Sequence, residues 1–355
     1  MPTVTSDEIV KIADVMLRAG GASKGHAMTV AEHLANANLA GHDSHGFIRI
    51  PQYLDAMKNG TLDPSAEPEV VGENAGTVQI NGHGTFGQVV ATLATRLGIE
   101  KARESGISLV TMGNLHQTGR VGTYPEMAAE EGMGAIMFTG FCGGTFGNNV
   151  APFGGRARRL GTNPISMSFP HTDEGPVLLD FASSIAAEGK LRLYRNRGHQ
   201  LPDEWVLDKD GVPSRDPQDY YDGGVILPVG GVSGGHKGYA LSVMVSLYGA
   251  LLGQIAAPES TQEDIWTGSS IIVINVGGMA PIEGVRSQVQ SMTRYLKDTP
   301  TVDGVSEVLY PGEIEANSRR DRLGGGVNIE QATWDQVTEL MEEYGVAGEL
   351  EGIGD

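Results

Sequence analysis

The chain has 355 residues, of which 40% are hydrophobic and 19% are charged, so it can bury a sizeable core. Its formal net charge of −19 argues against nucleic-acid binding, which requires a basic face. Cys142 is the only cysteine, which excludes a disulfide within the chain and is typical of a reducing compartment. The 51 glycines follow no fixed period and indicate turns and close backbone approaches rather than a fibrous protein.

The first part of the chain has helical patterns. Residues 6–58 contain three amphipathic stretches, each closed by glycine, and the first of them predicts a helix capped by Thr5 or Ser6. The beginning MPTVTSDEIVKIADVMLRAG lacks the basic-then-apolar layout of a signal peptide. A connector rich in Pro and Glu at 61–74 predicts a boundary there.

Strand and helix patterns alternate from residue 76 onward, which predicts α/β architecture. The predicted strands begin with GTVQI at 76 and continue at 107–114, 133–140, 164–169, 176–182 and 270–276. The predicted helices are at 88–106, 123–132, 284–298 and 332–345, with a PGE turn at 311–313. A charged segment with turn signals occupies 188–222, and the chain shows no internal repeat.

The most apolar stretch, residues 239–252, belongs to the predicted helix HKGYALSVMVSLYGALLG. It is shorter than the roughly 20 residues that a membrane span needs. It also contains two serines, Ser242 and Ser246. We therefore expect a helix buried against a sheet, in a soluble cytoplasmic protein with no membrane partner.

Residues 41–53, GHDSHGFIRIPQY, place Ser44, His45 and Arg49 within one short segment. A guanidinium can bind a carboxylate through two parallel hydrogen bonds. An imidazole can donate or accept a proton near neutral pH, and a serine can orient it. These residues predict a site for a small acid. The alternative is a helix end with a capping histidine and a surface arginine.

Residues 82–87, GHGTFG, match the GxGxxG fingerprint of a Rossmann dinucleotide site, between a strand-like run and a helix. A Rossmann site also needs Asp or Glu at the end of the next strand, and that strand ends in Asn114. We therefore interpret GHGTFG as a glycine-rich turn before a helix.

Taken together, six segments in order resemble the malate/L-lactate dehydrogenase family of the second type. This family includes L-sulfolactate, ureidoglycolate and Δ1-piperideine-2-carboxylate enzymes. The resemblance implies a non-Rossmann α/β fold that binds NAD(P)H and works as a homodimer, with sites near the subunit boundary. It implies helical N- and C-terminal segments, 1–75 and 301–355, around a central sheet region at 76–300. The segments are GHDSHGFIRIPQY (41–53), GNLHQTGRVGTY (113–124), VAPFGGRARRLGTNPISMSFP (150–170), LLDFASSIAAEGK (178–190), GHKGYAL (235–241) and LYPGE (309–313).

The resemblance also implies roles for individual residues. His45 would be the proton donor or acceptor at the substrate, with Ser44 as its relay partner, and Arg49 would hold the substrate carboxylate. His116 matches a second family histidine that is the base in some members, and Thr162 would contact the substrate. Between the two histidines, His45 is favoured. His116 as a buried histidine satisfied by backbone is the alternative.

The cofactor would contact three stretches that match the family: Asp180, Phe181 and Ala182; His236 and Lys237; and Pro311, Gly312 and Glu313. The structural alternatives are that Asp180 caps a helix and that Lys237 is exposed at a helix start. Outside these stretches, Asn163-Pro164 could form a simple turn.

Two segments depart from the family pattern. The loop 140–149 reads GFCGGTFGNN where many members have a Ser/Asn-rich run, and Lys190 stands where cyclic-imine reductases have an acidic relay residue.

The leading functional hypothesis is an oxidoreductase that interconverts a 2-hydroxy acid and its 2-oxo acid, with NAD preferred over NADP as cofactor and without a metal. The alternatives are reduction of a cyclic imino acid and a non-catalytic binding protein. Arg156, Arg158 and Arg159 form the densest basic patch and are candidates for a 2′-phosphate contact.

Overall fold

The computed structural model describes residues 1–143, 148–171, 175–255, 265–350 and 352–353. The chain begins with a short strand and three helices: β1 (Thr3–Val4), α1 (Ser6–Ala19), α2 (Lys24–Leu39) and α3 (Ile50–Lys58). Two 3₁₀ turns, Asp43–His45 and Phe47–Arg49, lie between α2 and α3. Thr5 caps α1 in a capping box with Glu8, which confirms the predicted helix start.

The middle of the chain alternates strands and helices, as predicted. Its elements are β2 (Glu69–Glu73), β3 (Thr77–Asn81), α4 (Gly87–Ser105), β4 (Ile107–Gly113), α5 (Thr123–Glu130), β5 (Gly134–Gly143), β6 (Pro164–Phe169), β7 (Val177–Ala182), α6 (Glu188–Asn196), β8 (Val206–Leu207), β9 (Pro213–Ser214), α7 (Pro217–Tyr221) and β10 (Val225–Ile226). They are followed by α8 (Gly231–Val245), a π-helical segment (Ser246–Leu251), α9 (Leu252–Ile255), β11 (Ile265–Ile274), α10 (Ile282–Lys297), α11 (Glu313–Gly325), β12 (Val327–Asn328) and α12 (Gln331–Glu343). Short 3₁₀ turns occur at Val276–Gly278 and Ala347–Glu349.

The central sheet has seven strands in the order β2-β3-β4-β11-β5-β6-β7. Strands β3 and β4 are parallel and are connected through α4, and each other neighbouring pair is antiparallel. A Rossmann sheet is mostly parallel. The predicted α/β, non-Rossmann fold is therefore confirmed, although GHGTFG does lie in a parallel strand-helix-strand unit.

The first and last segments of the chain share one hydrophobic core. Buried residues of α1, α2 and α3 pack with β12 and α12. The rings of Phe47 and Trp334 are stacked at a centroid distance of 6.0 Å. A second core lies between the central sheet and helices α4 and α5. The motif at 41–53 therefore packs on a hydrophobic core that is formed by both ends of the chain.

Helix α8 begins at Gly231, earlier than the predicted helix, because Glu204 bonds to its first turn. The Val232 N–H donates to Oε2 of Glu204 at 3.2 Å, and the Ser233 hydroxyl donates to Oε1 at 3.2 Å. Glycine also brings the following π-helical segment close to the sheet: a Cβ at Gly249 would lie 2.5 Å from the backbone nitrogen of Gly140. No helix in the described ranges is long and apolar enough to cross a membrane.

Candidate functional site

The structure brings Ser44, His45 and Arg49 together in the two 3₁₀ turns before α3. The Ser44 hydroxyl lies 3.0 Å from Nδ1 of His45. Nε of Arg49 donates to the Ser44 carbonyl oxygen at 2.6 Å, and a terminal nitrogen of the same guanidinium donates to Oε1 of Gln52. The arginine is thus held by its own turn, and its remaining N–H groups have no hydrogen-bond partner in the part of the chain that the structure describes.

His45 is a neutral imidazole at pH 7. Burial lowers its pKa to about 3, and the nearby cations Arg49 and Arg120 add to the effect, together with His42. A neutral imidazole can accept a proton from a substrate hydroxyl. The turn therefore offers a base and a carboxylate-binding group side by side.

His116 lies in the loop after β4, and the glycines of GHGTFG make room for that loop. A Cβ at Gly87 would lie 2.3 Å from the His116 carbonyl oxygen, and a Cβ at Gly82 would lie 2.7 Å from the carbonyl oxygen of Asn114. The His116 N–H donates to the Thr85 carbonyl oxygen at 2.9 Å. The fingerprint-like glycines therefore support the loop that carries His116.

The His116 ring contacts the ring of Tyr53 edge-on, with centroids 6.0 Å apart and planes at 78°. Burial lowers the pKa of His116, and the charge of Arg49 adds to this. Its Nδ1 is buried and has no hydrogen-bond partner among the described residues, so the backbone does not satisfy this nitrogen. His116 and Arg49 are thus electrostatic neighbours that come from separate segments.

Sequence reasoning missed two buried residues beside the motif, His33 and Arg120. The Arg120 backbone N–H donates to Nε2 of His33 at 2.8 Å. The Arg120 side chain is fully buried between Glu126, at 2.9 Å, and Asp180, at 3.6 Å. Burial lowers the pKa of His33 to about 3, and the charge of Arg120 and the neighbouring His45 add to the effect. The signal that would have found Arg120 is a charged residue inside the otherwise uncharged run HQTGRVGTY.

Asp180 directs its carboxylate into the protein. Its Oδ2 accepts a hydrogen bond from the N–H of Gly122 at 3.0 Å, at the start of α5, and faces Arg120. Burial raises the pKa of Asp180, and the charge of Arg120 opposes the shift. The Asp180 carboxylate is thus engaged within the protein, at the residue that precedes α5. The neighbouring Phe181 is 40% exposed.

Edge strand β7 connects the three predicted cofactor stretches. Near its beginning, the Leu178 N–H donates to the Pro311 carbonyl oxygen at 3.0 Å. Just past its end, the Val229 N–H, shortly before α8, donates to the carbonyl oxygen of Ser183 at 2.9 Å. The Ser183 N–H donates in turn to the Thr162 carbonyl oxygen at 2.9 Å. Strand β7, which carries residues 180–182, is therefore flanked by the turn at 311–313 near its beginning. Thr162 and the segment that leads into α8 lie at its other end.

The turn at 311–313 is held against the beginning of β7. Gly312 has φ of +97°, and a Cβ there would lie 2.7 Å from the Pro176 carbonyl oxygen. Glu313 accepts a hydrogen bond from the Tyr310 N–H at 3.1 Å and pairs with Lys297. The Glu313 side chain is thus engaged within the protein.

His236 and Lys237 are exposed and lie inside helix α8, which begins at Gly231 and not at His236 as the sequence predicted. The flanking glycines serve helix packing: a Cβ at Gly238 would lie 2.3 Å from the Val229 carbonyl oxygen. The His236 ring stands edge-on to Phe153 at 5.7 Å. Lys237 forms no ion pair with any described residue and is available to an anionic ligand.

Asn163 does more than form a turn. Its Oδ1 accepts a hydrogen bond from the Phe141 N–H at 2.9 Å. Its Nδ2 donates to the hydroxyls of Ser242, at 3.0 Å, and Ser246, at 2.8 Å. The buried Asn163 amide therefore links strand β5, which carries Phe141, to helix α8 and the π-helical segment that follows it. The adjacent Thr162 is partly exposed.

The basic patch at 156–159 is partly structural. Nε of Arg158 donates to the Gly224 carbonyl oxygen at 2.9 Å, and its guanidinium lies over the Tyr220 ring at 3.9 Å. Within the loop at 140–149, residues 144–147 lie outside the described residues. Lys190 is exposed on α6, and the described residues contain no cluster of three His, Cys, Asp or Glu side chains that could hold a metal ion.

Comparison with known proteins identifies the family. The sequence model described as malate/L-lactate dehydrogenase matches residues 4–338. Hydroxycarboxylate dehydrogenase B of Escherichia coli (strain K12) is 35% identical over 341 residues, which cover 94% of this chain and 92% of that protein.

Solved structures agree with the sequence match. Malate dehydrogenase from Entamoeba histolytica superposes with a TM-score of 0.89 at 28% identity, covering 97% of this chain and 98% of that one. The Δ1-piperideine-2-carboxylate reductase from Pseudomonas syringae pvar. tomato superposes with a TM-score of 0.81 at 29% identity, covering 96% and 100%. The predicted resemblance is confirmed, and the chain belongs to the malate/L-lactate dehydrogenase family.

Proposed function

We propose that this protein is an NAD(P)-dependent oxidoreductase that interconverts a 2-hydroxy acid and its 2-oxo acid. The observation that carries the proposal is the turn that holds the His45 imidazole and the Arg49 guanidinium next to each other through Ser44. The family membership supports an oxidoreductase that acts on hydroxy acids.

Arg49 binds the substrate carboxylate in this proposal. Two of its nitrogens are already occupied by Ser44 and Gln52, so the orientation of the guanidinium is set before the substrate arrives. Glu188 and Arg192 of α6 lie close enough to affect the pKa of Arg49. Helix α6 therefore borders the same site.

His45 moves the proton. In the oxidative direction, its neutral ring accepts the proton of the substrate hydroxyl while hydride leaves C2. Ser44 occupies Nδ1, so Nε2 is the nitrogen that is left for the substrate. We favour His45 over His116 as the principal acid/base. Nδ1 of His45 has a hydrogen-bond partner in Ser44, whereas Nδ1 of His116 has none among the described residues. Thr162, which precedes β6 and accepts the hydrogen bond from Ser183 just past the end of β7, completes the substrate side of the site.

The residues along β7 fit a pyridine dinucleotide, which would supply or take up the hydride. Phe181 offers an exposed ring, and Lys237, which pairs with no acidic side chain among the described residues, offers a cation for a diphosphate. Backbone groups of 180–182 and 311–313 and the side chain of His236 complete the surface. We propose NAD rather than NADP because Arg158, one of the candidates for a 2′-phosphate contact, is bonded within the protein. We propose that the active form is a cytoplasmic homodimer.

The test is a screen of NADH and NADPH oxidation with a panel of 2-oxo acids and cyclic imino acids. His45→Ala protein, purified in parallel, controls for contaminating dehydrogenases. We expect turnover with one or more 2-oxo acids. Turnover with imino acids alone would replace the proposal with the reductase activity named for the P. syringae neighbour. Tight cofactor binding without any turnover would favour a non-catalytic binding protein.

A further inference from the structure

Tyr53 connects the two histidine-bearing segments of the site. Its side chain is completely buried on α3, four residues after Arg49. Nε2 of Gln88 donates to the Tyr53 hydroxyl oxygen at 2.6 Å, and the Tyr53 hydroxyl donates to Oε1 of Gln117 at 3.3 Å. Three elements therefore meet at one phenol: α3, α4 and the loop that carries His116.

The chain of hydrogen bonds has a fixed direction. An amide N–H can only donate, so Gln88 uses the acceptor capacity of the phenol and leaves its proton for Gln117. Burial raises the pKa of Tyr53 to about 12, so the phenol keeps this proton throughout the working pH range. The amide of Gln117 is thereby held in one orientation.

The fixed orientation of Gln117 affects His116, because His116 directly precedes Gln117 in the chain. Its ring meets the Tyr53 ring edge-on at 6.0 Å, and the backbone of Gln117 lies against Gly87, where a Cβ would be 2.6 Å from the Gln117 carbonyl oxygen. Among the described residues, Arg49 and Tyr53 are the charged and titratable groups that act on the His116 ring. The Tyr53 ring also contacts the Phe86 ring, with centroids 6.0 Å apart and planes at 88°.

We infer that Tyr53 is a positioning residue whose hydroxyl, bonded to Gln88 and Gln117, fixes the orientation of His116 relative to Arg49. The effect on turnover rests on the proposed function, but the effect on the His116 ring does not. Substitutions at Tyr53 and Gln117 separate this role from simple packing, because Tyr53→Phe retains the ring and its contact with His116.

The first experiment is a double-mutant cycle on kcat. We expect Tyr53→Phe and Gln117→Ala each to lower kcat about 10-fold or more, since small displacements of a reacting group are costly. The double variant should lose no more than the worse single variant, because both break the same bond. Losses that multiply would overturn the inference. Tyr124→Phe is the matched control: it removes a buried hydroxyl that bonds the Thr118 carbonyl oxygen at 2.5 Å in the same loop, and it should not couple to Gln117→Ala.

The second experiment needs no turnover. Protein labelled with ¹³C at histidine Cε1 gives a titration curve for each histidine, and His116→Asn assigns the His116 signal. We expect the His116 pKa to lie below 6.5 in the wild type and to move toward 6.5 in Tyr53→Phe, because the freed loop admits water. An unchanged His116 titration in Tyr53→Phe would refute the positioning role. A shifted titration in a protein that turns over no substrate would refute the proposed function alone.

Discussion

The Ser44 hydroxyl lies 3.0 Å from Nδ1 of His45, so a neutral hydroxyl, not a carboxylate, orients this imidazole. Histidine bases are often paired with carboxylates, which stabilise the protonated ring. Here the nearby charges Arg49 and Arg120 are positive and act in the opposite direction. The site therefore holds His45 ready to accept a proton.

Loss of His45 should stop proton transfer while leaving the cofactor surface intact. We expect His45→Ala to lower kcat by about 10²–10⁴-fold, the usual contribution of a positioned acid or base. The dissociation constant of NADH, followed by fluorescence, should remain nearly unchanged. A variant that keeps more than half of the wild-type kcat would assign the role to His116, and His116→Ala tests that directly.

Substitution of Arg49 by lysine keeps the charge and removes the planar group. Lysine cannot bond Ser44 and Gln52 and also grip a carboxylate with two parallel bonds. We expect Arg49→Lys to reduce kcat/KM by about 10-fold or more, the cost of a lost charged hydrogen bond. The measurement is steady-state kinetics with the best substrate from the screen. Unaltered kcat/KM would show that Arg49 has only a structural role.

Cofactor binding distinguishes the surface along β7 from the GHGTFG turn. We expect Lys237→Ala to weaken NADH binding about 10–150-fold, from the loss of a charged hydrogen bond. Gly84→Ala should bind normally, since a Cβ at Gly84 meets no atom within 4 Å, although its φ of +78° costs some stability. The two dissociation constants come from fluorescence titration with NADH and NADPH. The reverse ranking would contradict both the cofactor residues and the interpretation of the turn.

Acid should destabilise the fold through His33 and His45. Both have a pKa of about 3 in the folded chain, against 6.5 for an ordinary histidine, so between these values the unfolded chain binds more protons. The free energy of unfolding should therefore fall as the pH drops from 6.5 toward 3, by about 1.4 kcal/mol per pH unit for each histidine. Urea unfolding at pH 7 and pH 5 should show a smaller difference in His33→Gln than in the wild type. His199→Gln, which removes an exposed histidine, is the matched control, and an equal difference in all three proteins would contradict the assignment.

The sequence predicted the architecture and the local part of the site. Strand and helix periodicities are short-range signals, and Ser44, His45 and Arg49 are close enough in the chain for their side chains to meet in any compact turn. Rejection of the Rossmann fingerprint rested on Asn114, a single residue at the end of a predictable strand. These predictions needed no knowledge of which distant segments meet.

The contacts between distant segments could not be predicted from the sequence. The bond from Arg120 to His33 spans 87 residues of sequence, and the bond from Tyr53 to Gln117 spans 64, so no spacing reveals either one. Helix α8 was predicted to begin too late because the glycine-rich start GVSGG has poor helix propensity. The carboxylate that stabilises this start, Glu204, comes from a separate part of the chain.

Because β7 sets the spacing of the segments at its two ends, this strand has little freedom to change in length. An insertion or deletion of one residue in β7 would displace one end by about 3.3 Å and turn the following side chains to the opposite face of the sheet. Asp180 would leave Arg120, and the turn at 311–313 would lose its register with Thr162. Variation in chain length among functional versions of this protein should therefore be confined to the connections on either side of β7.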